Sequence, residues 1–441
     1  MFSRKPLRGM TDFYPDDLRL TNWIVDKVKA VVERCGYEEF EAPLLEPIEI
    51  YAAKSSEELV NEQAFVVEKK PGERLILRPE LTPSLARMVA RRFSELEKPI
   101  RWFSNPTCYR YERPQRGRKR EFKQFNVDLL GEPSLLAEAE VFGIVVDVMA
   151  EFGVTGPQYQ LLYNNRRFVD ELLRQVLDVP AGRVHEAYKL LDKREKLDEE
   201  AFAATVRESF DDERVVDGLL AFGQFNELDD LPFDGVPSDF ENNAGFRELK
   251  TLEEYLDDLG ISKHCKFSPA VIRGLDYYTG TVFEVFDAGE ENRRALFGGG
   301  RYDDLMSLFS RQTLTGVGFG MGVHTLRLFL ETYDKVPNDV TRRDWSNVVL
   351  AFSLGEGTET AAMRLARKLR AGGISCLVSF SRTGLGKQLG RAAAKGVRAA
   401  IIVGREELAK GQVSVKDLGA NSQATVEEKE LVCHVRKLLE G

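Results

Sequence analysis

The sequence predicts two domains: a large first domain that mixes strands with helices and carries a helical insertion, then a small α/β domain. Three observations point there. The chain has 441 residues, and roughly 100–200 residues per domain makes two or three units the natural partition. The stretch 334–344 is polar, contains Pro337 and has no apolar period, which reads as a linker. Beyond it, strand and helix patterns alternate, as in a small mixed sheet covered by helices. The boundaries that follow are 1–335 for the first domain, with the insertion at about 165–240, then 336–344 for the linker and 345–441 for the last domain.

In order along the chain, 17–35 has an amphipathic stripe of Leu18, Leu20, Ile24, Val25, Val28 and Val31, with Gly36 placed to stop the helix. Strand-like material follows near Phe40 and at 74–77. Thr82-Pro83 reads as an N-cap with Pro at the first helical position, opening a helix to about 92. Two strand-like runs, 100–112 and 121–130, bracket a Pro- and Gly-containing segment at 113–120, which suits a hairpin or long turn. A helix is expected at about 134–152, and 165–260 is mostly helical. Strands return near 281–286, followed by the glycine strings at 297–302 and 316–322. After the linker the order is strand 348–352, helix 358–371, strand 375–379, helix 385–395, strand 399–403, a strand around 412–415 and a last helix from about 426.

Composition narrows the class. The chain is 43% hydrophobic and 30% charged with a net charge of −9, so it is neither fibrous nor wholly disordered. An acidic protein is not held on DNA by bulk charge, so any nucleic-acid contact needs a local basic patch. The cysteines Cys35, Cys108, Cys265, Cys376 and Cys433 form no C-x-x-C pair and are odd in number, which fits a reducing compartment. His264-Cys265 and Cys433-His434 are neighbours, a poor spacing for ligands, so no metal held by protein side chains is expected. The start has no apolar stretch after its charges, and apolar runs such as 399–403 are far short of a membrane span. A soluble cytoplasmic protein with no membrane or DNA partner is the expectation.

Three constellations carry chemistry. Five of the eight residues in 113–120 are cationic, which suits a polyanion such as a nucleotide or an RNA end, though a solvated loop has the same composition. In the strand that follows, Phe122, Gln124, Asn126 and Asp128 share one face by the two-residue period, as do Arg110 and Glu112 before the hairpin. An aromatic, two amides and a carboxylate on one face suit a ligand-reading surface; a paired polar sheet surface is the plain alternative. In Arg273-Gly274-Leu275-Asp276-Tyr277-Tyr278, arginine can neutralise a phosphoryl group and tyrosine hydroxyls can bond a polar ring, or the residues can anchor a turn. Gly298-Gly299-Gly300-Arg301-Tyr302 matches no nucleotide fingerprint; it says that backbone approaches something closely, a ligand or another strand.

Taken together, Arg8 to Pro15, Arg78-Pro79-Glu80-Leu81-Thr82, Arg110-Tyr111-Glu112-Arg113 with Phe122, Arg273 to Tyr278, and Gly299-Gly300-Arg301-Tyr302-Asp303 resemble the histidyl-tRNA synthetases, a class II aminoacyl-tRNA synthetase family. The resemblance implies an α+β catalytic domain on an antiparallel sheet flanked by helices, a C-terminal anticodon-binding α/β domain, and a homodimer. It implies that ATP, with Mg2+, activates L-histidine to an adenylate, and that histidine then passes to the 3′ end of tRNA(His). Residue by residue, it implies Arg110 and Arg273 as catalytic groups on opposite sides of the α-phosphate and beside the amino acid. It implies Glu112 and Phe122 at the adenine, and Glu80, Leu81, Thr82 and Gln124 around the ammonium end of histidine. Asp128 and Tyr278 would read the imidazole with Tyr277 beside them; many relatives have Glu at the position of Asp128. Gln115, Arg116 and Arg120 would meet the tRNA acceptor end.

One departure stands out. The family's third motif has an arginine that clasps the γ-phosphate, and here Thr325 occupies its place. Arg327, two residues on, lies about 200° around an ideal helix. His324 beside it reads as a helix-surface residue rather than a base. The departure keeps a second function in view: a catalytically impaired paralogue that binds histidine as a regulatory subunit.

Overall fold

The computed structural model describes residues 3–440 except 53–58, 61, 195–196, 224, 226, 230, 273–276, 290, 293–294 and 382. Two compact units emerge, Met1–Val340 and Thr341–Gly441. In the first, nine described strands form one sheet. Its order is Glu38–Glu39, Ile100–Ser104, Glu121–Leu130, Gly316–Gly322, Phe297–Tyr302, Thr281–Asp287, Tyr159–Asn165 and Cys265–Phe267, with Thr107–Tyr109 pairing the near end of Glu121–Leu130. The interior is antiparallel and only the two edge pairings are parallel, so the sheet is mixed at its margins.

The two-residue period decides which side chains go where. Phe125, Val127, Leu129, Phe283, Val285, Val317, Phe319 and Met321 all enter the main core. Helices Pro15–Arg34, Leu136–Glu151, Ala244–Asp258 and Val323–Thr332 supply that core's other wall. Pro15–Arg34 starts with Pro in its first turn and Asp16 and Asp17 against the positive end of the helix dipole; of the expected stripe, Leu18 stays exposed. The other face of the sheet is covered at one end by Thr82–Arg91, through Leu85, Ala86 and Val89 against Ile100, Val282 and Tyr302. The rest of that face is left for the site.

Four sequence expectations change. Thr82 is the first helical residue, not the cap: Leu81 holds that place and no side chain caps the helix. The run 100–112 is not one strand: Asn105 and Pro106 interrupt it, because proline has no N–H for the ladder. Arg110 and Glu112 lie past the end of the second piece. The last helix is Leu431–Glu440, and 426 instead closes a strand, Ser422–Glu427, that pairs with Gln412–Asp417. That strand is largely exposed, so it shows no apolar alternation to read. Between 166 and 258 every described regular element is a helix, with Asn165, Asp198 and Asp212 side chains accepting from backbone N–H groups at helix starts.

The second unit has strand order Ser375–Val378, Val348–Leu354, Ala399–Gly404, Gln412–Asp417, Ser422–Glu427; the first three are parallel and the last two antiparallel. Glu359–Ala371 and Leu431–Glu440 pack on one face and Leu385–Ala394 on the other. Among the described residues no helix is long and apolar enough to cross a membrane.

Candidate active site

The uncovered part of the large sheet holds a cavity of about 240 Å³. Its floor follows from register. Gln124, Asn126 and Asp128 stand opposite Gly322, Gly320 and Gly318, and Gly320 and Gly318 stand opposite Gly298 and Gly300. Four glycines on two central strands, Gly298, Gly318, Gly320 and Gly322, therefore line the cavity without side chains, while the alternate residues Val317, Phe319 and Met321 enter the core. Added bulk has no room: a Cβ on Gly318 would lie 2.5 Å from Asp128 Oδ1, and one on Gly320 would collide with Gln124 Nε2.

Polar side chains converge on this trough from distant segments. Glu80 and Thr82, at the entry to Thr82–Arg91, line it with Arg110, Tyr277, Tyr278 and Tyr302. The Tyr51 hydroxyl donates to the Glu80 carbonyl at 3.0 Å, and Tyr277 donates to Glu80 Oε2 at 3.3 Å. Arg78 bolts the same segment down by donating to the carbonyls of Ala42, at 2.7 Å, and Thr107, at 2.9 Å. Arg110 donates through Nε to the Pro79 carbonyl at 2.9 Å, and its guanidinium lies 5.5 Å from the Phe122 ring centre. Leu81, within the expected set, points instead into the apolar cluster beneath Thr82–Arg91 and does not line the cavity.

Asp128 is the electrostatic centre. It is 3% exposed; the Tyr302 hydroxyl donates to Oδ1, and Oδ2 is buried with no partner among the described residues. Burial pushes its carboxyl up to about 7, opposed by the Tyr302 hydrogen bond. The Tyr302 ring is edge-on to Tyr277 at 6.1 Å, and Tyr277 sits 4.8 Å from Tyr278. Neighbouring Arg301 faces the opposite side of the sheet, paired to buried Glu138 at 2.6 and 2.5 Å.

The hairpin folds back tightly at Gln115 and Arg118, whose backbones pair, with Gly117 at φ +78° where a side chain would strain the turn. Gln115 and Arg116 are exposed. Glu112 is not in the cavity lining; it is ion-paired with Arg118 at 2.7 Å. Arg120 turns inward: it lies 3.8 Å over the Tyr111 ring and donates to the Glu112 carbonyl at 3.1 Å. Arg273 lies outside the described residues. Thr325 donates to the carbonyls of Leu296 and Gly322, at 2.8 and 2.7 Å. Arg327 is held by Glu331 at 2.8 Å and Asp17 at 3.3 Å. His324 is half-buried, and burial, with Lys119 and Arg327 nearby, pushes its imidazole down to about 4.

The close backbone approach expected of Gly298-Gly299-Gly300 is met by pairing with 316–322, but sequence pattern assigned no role to Tyr302 or to the glycines of 316–322. The signal was present as Gly-x-Gly-x-Gly-x-Gly over 316–322, a two-residue period written in glycine rather than in apolar residues. Among the described residues no cluster of three His, Cys, Asp or Glu side chains is placed to hold a metal ion.

The histidyl-tRNA synthetase family model matches residues 9–326, and an anticodon-binding-domain model matches 348–438. The histidine–tRNA ligase of Leptospira biflexa serovar Patoc is 36% identical over 98% of this chain and 97% of its own. That of Haloarcula marismortui is 34% identical over 95% of each. The crystal structure of histidyl-tRNA synthetase from Nostoc sp. PCC 7120 superposes with a TM-score of 0.73 at 24% identity, covering 99% of this chain and all of the other, so the fold is shared throughout. With one family model spanning nearly all of the first unit and curated relatives aligned end to end, the chain belongs to the histidyl-tRNA synthetase family.

Proposed function

We propose that this chain is a histidine–tRNA ligase that activates L-histidine with ATP and transfers it to the 3′ end of tRNA(His). The observation that supports this most is Asp128. Its Oδ2 is a buried acceptor with no donor among the described residues, in a cavity whose glycine floor leaves room for a ring. An imidazole N–H supplies the missing donor. An analogue lacking it would strand that oxygen, a stronger basis for discrimination than an apolar pocket.

In the first step a histidine carboxylate oxygen attacks the α-phosphorus and pyrophosphate leaves. Negative charge builds between two anions, and fixed cations lower that barrier. Arg110, held by the Pro79 carbonyl and Phe122, is pre-positioned for one side; Arg273 is assigned the other on its motif alone. Phe122 would stack on adenine with Glu112 nearby, and Mg2+ enters with ATP as part of the substrate. Glu80, Thr82 and Gln124 would hold the ammonium group, with Tyr277 and Tyr278 beside the ring. In the second step the terminal ribose hydroxyl of tRNA attacks the carbonyl carbon and AMP leaves. Gln115, exposed on the hairpin, would meet the acceptor end, and Arg116, exposed and 3.7 Å from Glu291, would exchange that ion pair for a phosphate, whereas Arg120 would act by holding the hairpin base. We assign 345–441 to anticodon binding, 165–240 to a helical insertion, and the working form to a cytoplasmic homodimer.

The regulatory-subunit alternative is not favoured, because relatives named histidine–tRNA ligase align across both units. Purified protein with ATP, histidine and tRNA should form histidyl-tRNA. Histidine-dependent exchange of pyrophosphate into ATP isolates the first step. Absence of both products at saturating substrate would overturn the assignment.

A further inference from the structure

We infer that Asn126 is a specificity-determining residue for the amino acid, its Oδ1 accepting a hydrogen bond from the α-ammonium group. The inference rests on the ligase reading above and deepens it. Asn126 is 3% exposed, lines the cavity, and carries a buried Oδ1 with no partner among the described residues. A buried carbonyl oxygen without a donor is costly, so it marks a place where a ligand donor belongs.

Register says which donor. Asn126 stands opposite Gly320, and the Gln124 amide lies over that same glycine, where it would collide with an added Cβ. Two carboxamides therefore converge on one station. Asp128, opposite Gly318, is one same-face step away, about 6.7 Å along the strand. A ligand on this wall meets two orphan acceptors, Asn126 Oδ1 and Asp128 Oδ2, and must offer a donor to each. Histidine does so with two different groups. Its ammonium has three N–H donors and no acceptor, and its ring has an N–H. Asp128 is the only acid among Phe122, Gln124, Asn126 and Asp128, so the amide at 126 offers the ammonium a neutral dipole and leaves the anion to the ring. Ser104, opposite Asn126 on the other neighbouring strand, also has a buried Oγ without a partner among the described residues. A trapped water between the two is the competing explanation.

The test is histidine-dependent pyrophosphate exchange by the full-length protein, compared with Asn126→Ala and Asn126→Asp. Loss of one hydrogen bond to a charged donor predicts about a tenfold rise in histidine KM for Asn126→Ala, with ATP KM and kcat within about twofold. Inhibition by 3-(imidazol-4-yl)propionate, which is histidine without its amine, should be unchanged, and Asn126→Asp should restore histidine binding. An unchanged histidine KM, as a trapped water predicts, overturns the inference. So does a parallel weakening of the deamino analogue, which would put Asn126 at the ring. If the wild type shows no exchange, the ligase reading fails separately, and calorimetric titration with histidine and with the analogue makes the same comparison. If Asn126→Ala does not fold, Asn126→Ser carries the test.

Discussion

Replacing Tyr302 by Phe removes one oxygen and leaves the ring packed against Tyr277. The lost hydroxyl is the sole described donor to Asp128, whose other oxygen already lacks one. Hydrogen bonds to charged groups contribute about 1.5–3 kcal/mol, and one pH unit corresponds to about 1.4 kcal/mol. The ionised form of Asp128 loses that support, so its midpoint should climb by about one to two pH units from its starting point of about 7. A ring N–H bonds much more strongly to the ionised carboxylate than to the neutral acid. Histidine KM in pyrophosphate exchange should therefore rise about 5- to 50-fold at pH 7 and recover as the pH is raised towards 9, with kcat little changed. The Asp128→Asn background should abolish the difference between Tyr and Phe at 302. A KM for Tyr302→Phe within twofold of wild type from pH 6 to 9 would refute the idea that Asp128 reads the ring as a carboxylate.

The same carboxyl sets a stability trend. Its folded midpoint lies above its unfolded one, about 3.9, so the folded state holds the extra proton between about 4 and 7. Its contribution is fully present below pH 4 and is lost as pH rises through 7, so Asp128→Asn should flatten the pH dependence of urea unfolding in that window; equal slopes would count against it. Glu138→Ala should destabilise by about 3–5 kcal/mol, because it strands the buried Arg301 guanidinium; less than about 1 kcal/mol by denaturant titration would show that the remaining partners suffice. Gly320→Ala should displace only the flexible end of Gln124, raising histidine KM about tenfold while the unfolding midpoint holds, and a large loss of stability instead would make the trough purely structural. Gln115→Ala should cost tRNA charging about fivefold and leave pyrophosphate exchange intact; equal losses in both assays would remove the hairpin tip from tRNA contact.

What residues decide among near neighbours was readable from the order of amino acids. Period two put Gln124, Asn126 and Asp128 on one face of one strand, and period 3.6 found the helix at Pro15–Arg34. The motif strings named the family for the same reason, since each is a short contiguous piece of chain. Local pattern had no access to pairing. Phe297–Tyr302 and Gly316–Gly322 are rich in glycine, a poor strand former, yet they occupy the middle of the sheet because partners on both sides hold them. The meeting of Glu80 with Tyr277, 197 residues apart, and of Tyr302 with Asp128, 174 apart, exists only once the sheet is assembled. Arg120 looked like a hairpin cation and became a clamp on Tyr111, because a side chain's direction depends on which surface lies beneath it. The acidity of Asp128 belongs wholly to the fold: a carboxyl is ordinary in water, and only the glycine trough and the buried walls around it make its proton hard to remove.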